Sequence, residues 1–202
     1  MAGFDRHQNA LLTSGFFCYR GAMQSFSRRQ FLKLGAGVAL AAALPWPARA
    51  LAATPARELA FYNLHTGEKL RLAYAENGQY IPGALAEINH VLRDYRTGDV
   101  HAIDPALLDQ LHLLQRHVET PGAFHVISGY RSPLTNHMLN AHSDGVASKS
   151  LHMEGRAIDI CLPGKDLASL HRAALSMQAG GVGYYPASNF IHMDTGRIRR
   201  WG

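Results

Sequence analysis

Hydrophobic residues along this chain change period several times, and the changes mark out the elements. Residues 59–63 and 69–74 alternate in a way that suits two strands, joined by a His65-Thr66-Gly67-Glu68 turn, and Glu76-Asn77-Gly78 turns the chain again. Residues 84–95 place Leu85, Ile88 and Leu92 on one helical face. A second helix is predicted from Asp104 as N-cap and Pro105 at its first position, burying Leu107, Leu108, Leu111, Leu114 and Val118. Phe124 and Val126 then alternate with His125 and Ile127 in a short strand, and Pro133 opens a helix to about Ala141. Strand periodicity returns from Ala157, with Ile158 and Ile160 on one face and Ala157, Asp159 and Cys161 on the other. A last helix over 165–178 turns Leu167, Leu170, Ala174 and Met177 inward. After it, Gly180-Gly181-Val182-Gly183 suits close backbone packing, Tyr184-Tyr185-Pro186 reads as a turn, and Phe190, His192 and Asp194 share one face of a final strand. Mixed strands and helices of this kind predict an α+β fold: a small antiparallel sheet with helices packed on one side.

The N-terminal quarter does not join that pattern. Ser27-Arg28-Arg29-Gln30-Phe31-Leu32-Lys33 is a twin-arginine export signature, followed by an apolar run from Leu34 to Leu44 and the small-residue site Ala48-Arg49-Ala50. That run falls short of the roughly 20 residues a membrane span needs, so a cleaved leader is expected rather than an anchor, leaving no stable membrane span. Met23 stands just ahead of the signature, and residues 1–22 read as an over-extended start. The expected organisation is thus 1–22 untranslated, 23–50 signal, 51–58 linker and 59–202 one domain exported to the periplasm.

Charge reads differently once the leader is set aside. Six of the 20 Lys and Arg and one of the 15 acids lie before residue 51, so the remainder carries 14 of each and is neutral. The sequence pI of about 9.4 belongs to the leader, and nothing argues for a nucleic-acid partner. Cys161 is left without a second cysteine, so no internal disulfide is expected.

The chemistry concentrates in Ser150-Leu151-His152-Met153-Glu154-Gly155-Arg156-Ala157-Ile158-Asp159 and in Ile191-His192-Met193-Asp194. If the two strands pair, Asp159 and His192 share a face, with His152 on the loop leading in. Two imidazoles and one carboxylate suit one four-coordinate Zn2+ with its last position open to water. The competing reading is that the histidines are partner-bonded core groups. His137 and His142 are alternative ligands, whereas His65, His112 and His117 suit a turn and a polar helix face. Arg131, at a strand-to-helix corner, offers a fork that matches a carboxylate, on a substrate or on a local acid. Asp194 is a general base or an acid that orients an imidazole ligand. Ser150 and Tyr130 are further hydrogen-bonding residues for the site.

The pattern Ser-x-His-x-x-Gly-x-Ala-x-Asp followed by His-x-Asp resembles the zinc peptidases that cut D-amino-acid-containing peptides of bacterial walls. The likeness is greatest to the murein endopeptidase K type. It runs from about Leu59 to Trp201 and includes residues 63–68, Ser128-Gly129-Tyr130-Arg131-Ser132 and Gly180 to Pro186. The resemblance implies a hedgehog/D-Ala-D-Ala peptidase-like fold, His152, Asp159 and His192 as zinc ligands, and hydrolysis of peptidoglycan cross-link peptides. It favours substrate binding for Arg131. Neither the diaminopimelate–diaminopimelate nor the D-Ala–diaminopimelate bond is selected, and a wall-binding module that keeps zinc without hydrolysis is the alternative. One departure stands out. The wider clan places an acid or histidine two or three residues before the last ligand, where this chain has Phe190 and Asn189.

Overall fold

The computed structural model describes residues 54–142 and 146–202. The predicted start at Met23, the twin-arginine leader and Cys18 lie outside the described residues. So do residues 143–145, within the stretch before the first predicted ligand.

The sheet forms the centre of the fold. Its strands are β1 (Arg57–Asn63), β2 (Lys69–Glu76), β3 (Gln79–Tyr80), β4 (Phe124–Ser128), β5 (Ala157–Cys161), β6 (Gly181–Tyr185), β7 (Phe190–Asp194) and β8 (Arg199–Trp201). They lie in the order β3-β2-β1-β4-β5-β7-β6-β8. The expected small antiparallel sheet is therefore corrected to an eight-stranded mixed one. Strands β1 and β4 run parallel, as do β6 and β8, and the other neighbours are antiparallel. The first parallel pair follows from connectivity: a long crossover separates β1 from β4, and its length accommodates parallel pairing as a tight hairpin cannot.

Two helices lie in that crossover, α1 (Pro82–Val91) and α2 (Pro105–His117). Helix α1 stops short of the predicted Tyr95, whereas α2 begins as expected. Asp104 caps it by accepting from the Ala106 amide at 2.9 Å. Helix α3 (Pro133–His142) follows β4, and α4 (Leu167–Ser176) follows β5, capped by Asp166. The apolar faces meet in one cluster: Leu59, Phe61, Phe124, Val126, Ile158, Ile160, Ile191 and Met193 from the sheet, against Ile88, Leu107, Leu108, Leu111, Leu114 and Leu170. Full burial of one such side chain contributes about 1.5–3 kcal/mol, so this layer holds the sheet in place. Helix α3 adds no apolar residue to the buried core and leaves Leu134 and Met138 exposed.

Strand β6 runs through Tyr184-Tyr185, in place of the expected turn, and the basic segment Arg199–Trp201 forms β8. Both lie beyond β7, with Gly181 opposite Arg199 and Gly183 opposite Trp201.

Candidate metal centre

His152 does not sit on an open loop. It lies in a 3-10 turn, Leu151–Glu154, whose N-cap Ser150 accepts from the His152 amide at 3.4 Å. Gly155 ends the turn in the left-handed region at φ +65°, with Asp104 donating its amide to the Gly155 carbonyl at 2.9 Å. A side chain there would suffer the backbone angle and also meet the Ala102 carbonyl oxygen at 2.1 Å. Asp104 binds the far end of the site too, accepting from Thr195 Oγ1 at 2.8 Å. One helix cap thus anchors both the segment that carries His152 and the segment that carries His192.

The register of β5 against β7 sets Asp159 beside His192. His192 Nδ1 lies 2.9 Å and His152 Nε2 3.3 Å from Asp159 Oδ1, and the two nitrogens are 3.2 Å apart. Ligand atoms arranged tetrahedrally about 2.0–2.1 Å from zinc stand about 3.3 Å apart. The three atoms fit such an ion without rearrangement, and no other cluster of this kind occurs among the described residues. His137 and His142 are not part of it, and His142 Nδ1 pairs instead with the Met138 carbonyl at 2.7 Å.

Both rings are held in the tautomer that ligation needs. His152 donates from Nδ1 to the Gly129 carbonyl at 2.7 Å, leaving the Nε2 lone pair free. His192 is turned the other way, donating from Nε2 to Asp194 Oδ2 at 3.0 Å and presenting Nδ1. Asp194 is fully buried and accepts five hydrogen bonds: from His192, from the Gly181 and Gly196 amides, and two from Arg199. Burial alone would raise its pKa; the His192, Arg199 and Gly196 bonds outweigh that and hold it well below the usual carboxylate range. Asp159 behaves alike, with burial overcome by the two imidazoles. Burial pulls the His192 pKa down, but its bonds to Asp159 and Asp194 raise it on balance.

The paired glycines of β6 explain how the edge strand reaches this centre. A Cβ on Gly181 would fall 2.4 Å from Arg199 and 2.5 Å from Asp194, and one on Gly183 would fall 2.6 Å from the Trp201 indole. Bare backbone lets Arg199 cross to Asp194 and lets Trp201 lie within 5.2 Å of the His192 ring. Sequence reasoning missed both residues. The signal was present: Arg199 and Trp201 are spaced by two, matching Gly181 and Gly183.

At the His152, Asp159 and His192 cluster opens a cleft of about 420 Å³, lined by Arg131, Lys149, Ser150, Tyr185, Phe190 and Trp201 among others. Arg131 is nearly buried, 3.7 Å from Asp159 Oδ2, with bonds of 3.4 Å to Asn136 and Ser128, and its Nε has no partner among the described residues. Burial pulls its pKa down and Asp159 opposes that. Tyr130 is not among the residues lining the cleft. It stacks on His101 at 4.7 Å, because the chain turns at Gly129-Tyr130 and only the next residue faces the site.

Residues 51–201 match the family described as peptidoglycan L,D-endopeptidase MepK. The Escherichia coli (strain K12) protein named "Peptidoglycan L,D-endopeptidase MepK" is 51% identical over 177 residues, 87% of this chain and 97% of the relative; one from Shigella flexneri matches equally. The Haemophilus influenzae (strain Rd) "Probable peptidoglycan L,D-endopeptidase MepK" is 41% identical over 178 residues, 87% and 95% of the two chains. Residues 25–45 match the signal sequence of the twin-arginine translocation pathway, which marks the chain for export to the periplasm. Among the described residues no helix is long and apolar enough to cross a membrane. With three-quarters of its length matched by one family, and half of the aligned residues shared with a relative across nearly that relative's whole length, this chain belongs to the peptidoglycan L,D-endopeptidase MepK family.

Proposed function

We infer that this chain is an exported zinc peptidase that hydrolyses L,D peptide cross-links of peptidoglycan, including those between two diaminopimelate residues. The observation that carries the reading is the convergence of His152 Nε2, Asp159 Oδ1 and His192 Nδ1 within 3.3 Å of one another in an open cleft. Two imidazoles and one carboxylate suit zinc better than a hard cation, and three protein ligands are the number a catalytic site uses. Bound there, zinc supplies Lewis-acid chemistry, polarising a carbonyl oxygen and lowering the pKa of water toward ~7.

The protein's own groups prepare that chemistry. The Gly129 carbonyl and Asp194 keep the proton of each neutral ring on the nitrogen away from the shared centre, so a neutral ring presents a bare ligand nitrogen to the ion. Arg199 holds Asp194 in turn. Asp194 has both oxygens engaged and no exposure, so we assign it to orienting His192 rather than to accepting the proton from water. The Arg131 guanidinium offsets the charge of Asp159 and, as part of the cleft lining, meets a carboxylate of the wall peptide. Ser150 stands at the rim, where its hydroxyl can meet the peptide backbone. The exported domain begins after the Ala48-Arg49-Ala50 site, with translation from Met23.

One observation favours a second reading, a wall-binding module that holds the ion without hydrolysis. Phe190 cannot move a proton, and among the described residues Asp159 is the only acid lining the cleft. Incubating the zinc-loaded domain with a defined diaminopimelate–diaminopimelate cross-linked muropeptide dimer separates the two. The peptidase reading expects about one zinc per chain and release of monomers. Binding of an intact dimer would establish the module, and cleavage of a D-Ala–diaminopimelate dimer alone would overturn the L,D assignment.

A further inference from the structure

One donor in the cleft is fixed in place with its proton uncommitted. Tyr185 ends β6 directly opposite Phe190, on the face of the sheet that carries His192. Its ring stacks on Phe190 with centroids 4.6 Å apart and planes 19° from parallel. Trp201 Nε1 donates to the Tyr185 hydroxyl at 2.8 Å. An indole nitrogen can only donate, so this bond uses a lone pair of the hydroxyl oxygen and directs the hydroxyl proton elsewhere. No described residue accepts that proton, and the side chain lines the same cleft as His152, Asp159 and His192. The indole that holds it lies over Gly183, against the His192 ring.

The other polar groups of the cleft are less suited to meet charge that develops during the reaction. Arg199 is bonded twice to Asp194. Ser150 caps the 3-10 turn. Lys149 is exposed on a flexible stem. Arg131 faces Asp159 Oδ2. Tyr185 alone combines a rigid ring, an occupied acceptor and a free donor.

Building on the peptidase reading, we propose that Tyr185 is a catalytic residue whose hydroxyl donates a hydrogen bond to the oxygen of the scissile carbonyl as negative charge gathers there, with Trp201 as the positioning residue that aims it. The proton stays on tyrosine throughout and no bond to Tyr185 forms, so the step needs no co-reactant. A donor already fixed in place requires little reorganisation at the moment of reaction.

The test compares Tyr185→Phe with the parent enzyme, both zinc-loaded, on the cross-linked dimer. A phosphinate analogue of the scissile bond serves as a binding probe, and zinc content is measured in parallel. Phenylalanine preserves the stack on Phe190. The expected result is a kcat lower by about 10²-fold, with KM and zinc content unchanged and phosphinate affinity weakened in proportion. Trp201→Phe should give a smaller loss, and the double variant should be no worse than Tyr185→Phe alone, because the two act as one unit. Wild-type kcat and phosphinate affinity in Tyr185→Phe would overturn the proposal. So would a change confined to KM, which would make Tyr185 a wall of the cleft, or a loss of zinc, which would make it a support for the ligands. A parent enzyme that cleaves no dimer would instead sink the peptidase reading, and this proposal with it.

Discussion

Asp194→Asn keeps the shape of the side chain and changes only what it can accept. The carboxylate takes hydrogen bonds from His192 and Arg199 on Oδ2 and from Gly181, Gly196 and Arg199 on Oδ1. An amide offers one accepting atom, and its NH2 group would face donors on whichever side it occupies. Set toward Oδ2, it meets the His192 N–H and favours the tautomer with the proton on Nδ1, the atom that faces the ligand cluster. Loss of a hydrogen bond to a buried charge costs about 1.5–3 kcal/mol. Loss of such an orienting partner typically weakens metal binding 10–100-fold, about 1.4–2.8 kcal/mol. The two figures agree, so zinc affinity should fall by that factor, measured on metal-free protein by competition with a chelating indicator. Turnover should recover as zinc is raised to saturation. A variant that binds zinc as the parent does, yet cannot turn over, would refute the reasoning and make Asp194 the general base.

Gly155→Ala should lower stability by about 1–3 kcal/mol from its backbone angle alone, and by more from the Ala102 contact at 2.1 Å; Gly67→Ala, with φ +75° but open space, should show only the first effect, both read from urea midpoints. In Gly183→Ala the new methyl must displace Trp201, so kcat should drop about tenfold or more, and the emission of Trp201, the only tryptophan after residue 50, should shift to the red. The raised pKa of His192 in metal-free protein means that zinc must displace a proton. In that form His192 adds stability below its unfolded value, and the contribution is lost as pH rises through the folded one. Zinc affinity should therefore climb as pH rises through the folded value and level off above it. Calorimetry in buffers of different ionisation enthalpy should detect the released proton; a flat pH profile would contradict the site geometry.

The clustering of His152, Asp159 and His192 was legible because both strands keep strict alternation, so one register places Asp159 beside His192. Gly155 marked the turn between His152 and β5. The core was legible for the same reason, and the faces expected of α1, α2 and α4 are those that meet the sheet. What escaped reading is equally specific. Gly181-Val182-Gly183 carries little strand preference of its own, and Arg199-Arg200-Trp201 looks like a solvated tail until Arg199 and Trp201 are seen to fit over the two glycines. Those contacts are tertiary, so the support of His192 by Asp194, Arg199 and Trp201 was only half visible. Tyr130 was drawn into the expected site by sequence proximity to Arg131, while the turn at Gly129 sends the two side chains to different neighbours. Likewise Tyr185 read as part of a turn because Pro186 follows it, although the strand continues to that residue before a 3-10 turn begins. The size of the sheet depended on parallel pairings between distant segments, which no local pattern announces.

The central claim is that His152, Asp159 and His192 together hold the ion that makes this chain a peptidase of the wall. Mass analysis of the fragments released from intact sacculi tests it most directly, using the zinc-loaded exported domain beside its chelated form and His152→Ala. The account predicts monomeric muropeptides whose masses correspond to severed L,D cross-links, from the zinc-loaded domain alone. Equal release by the chelated form or by His152→Ala, or intact cross-links after exposure to the zinc-loaded domain, would contradict it.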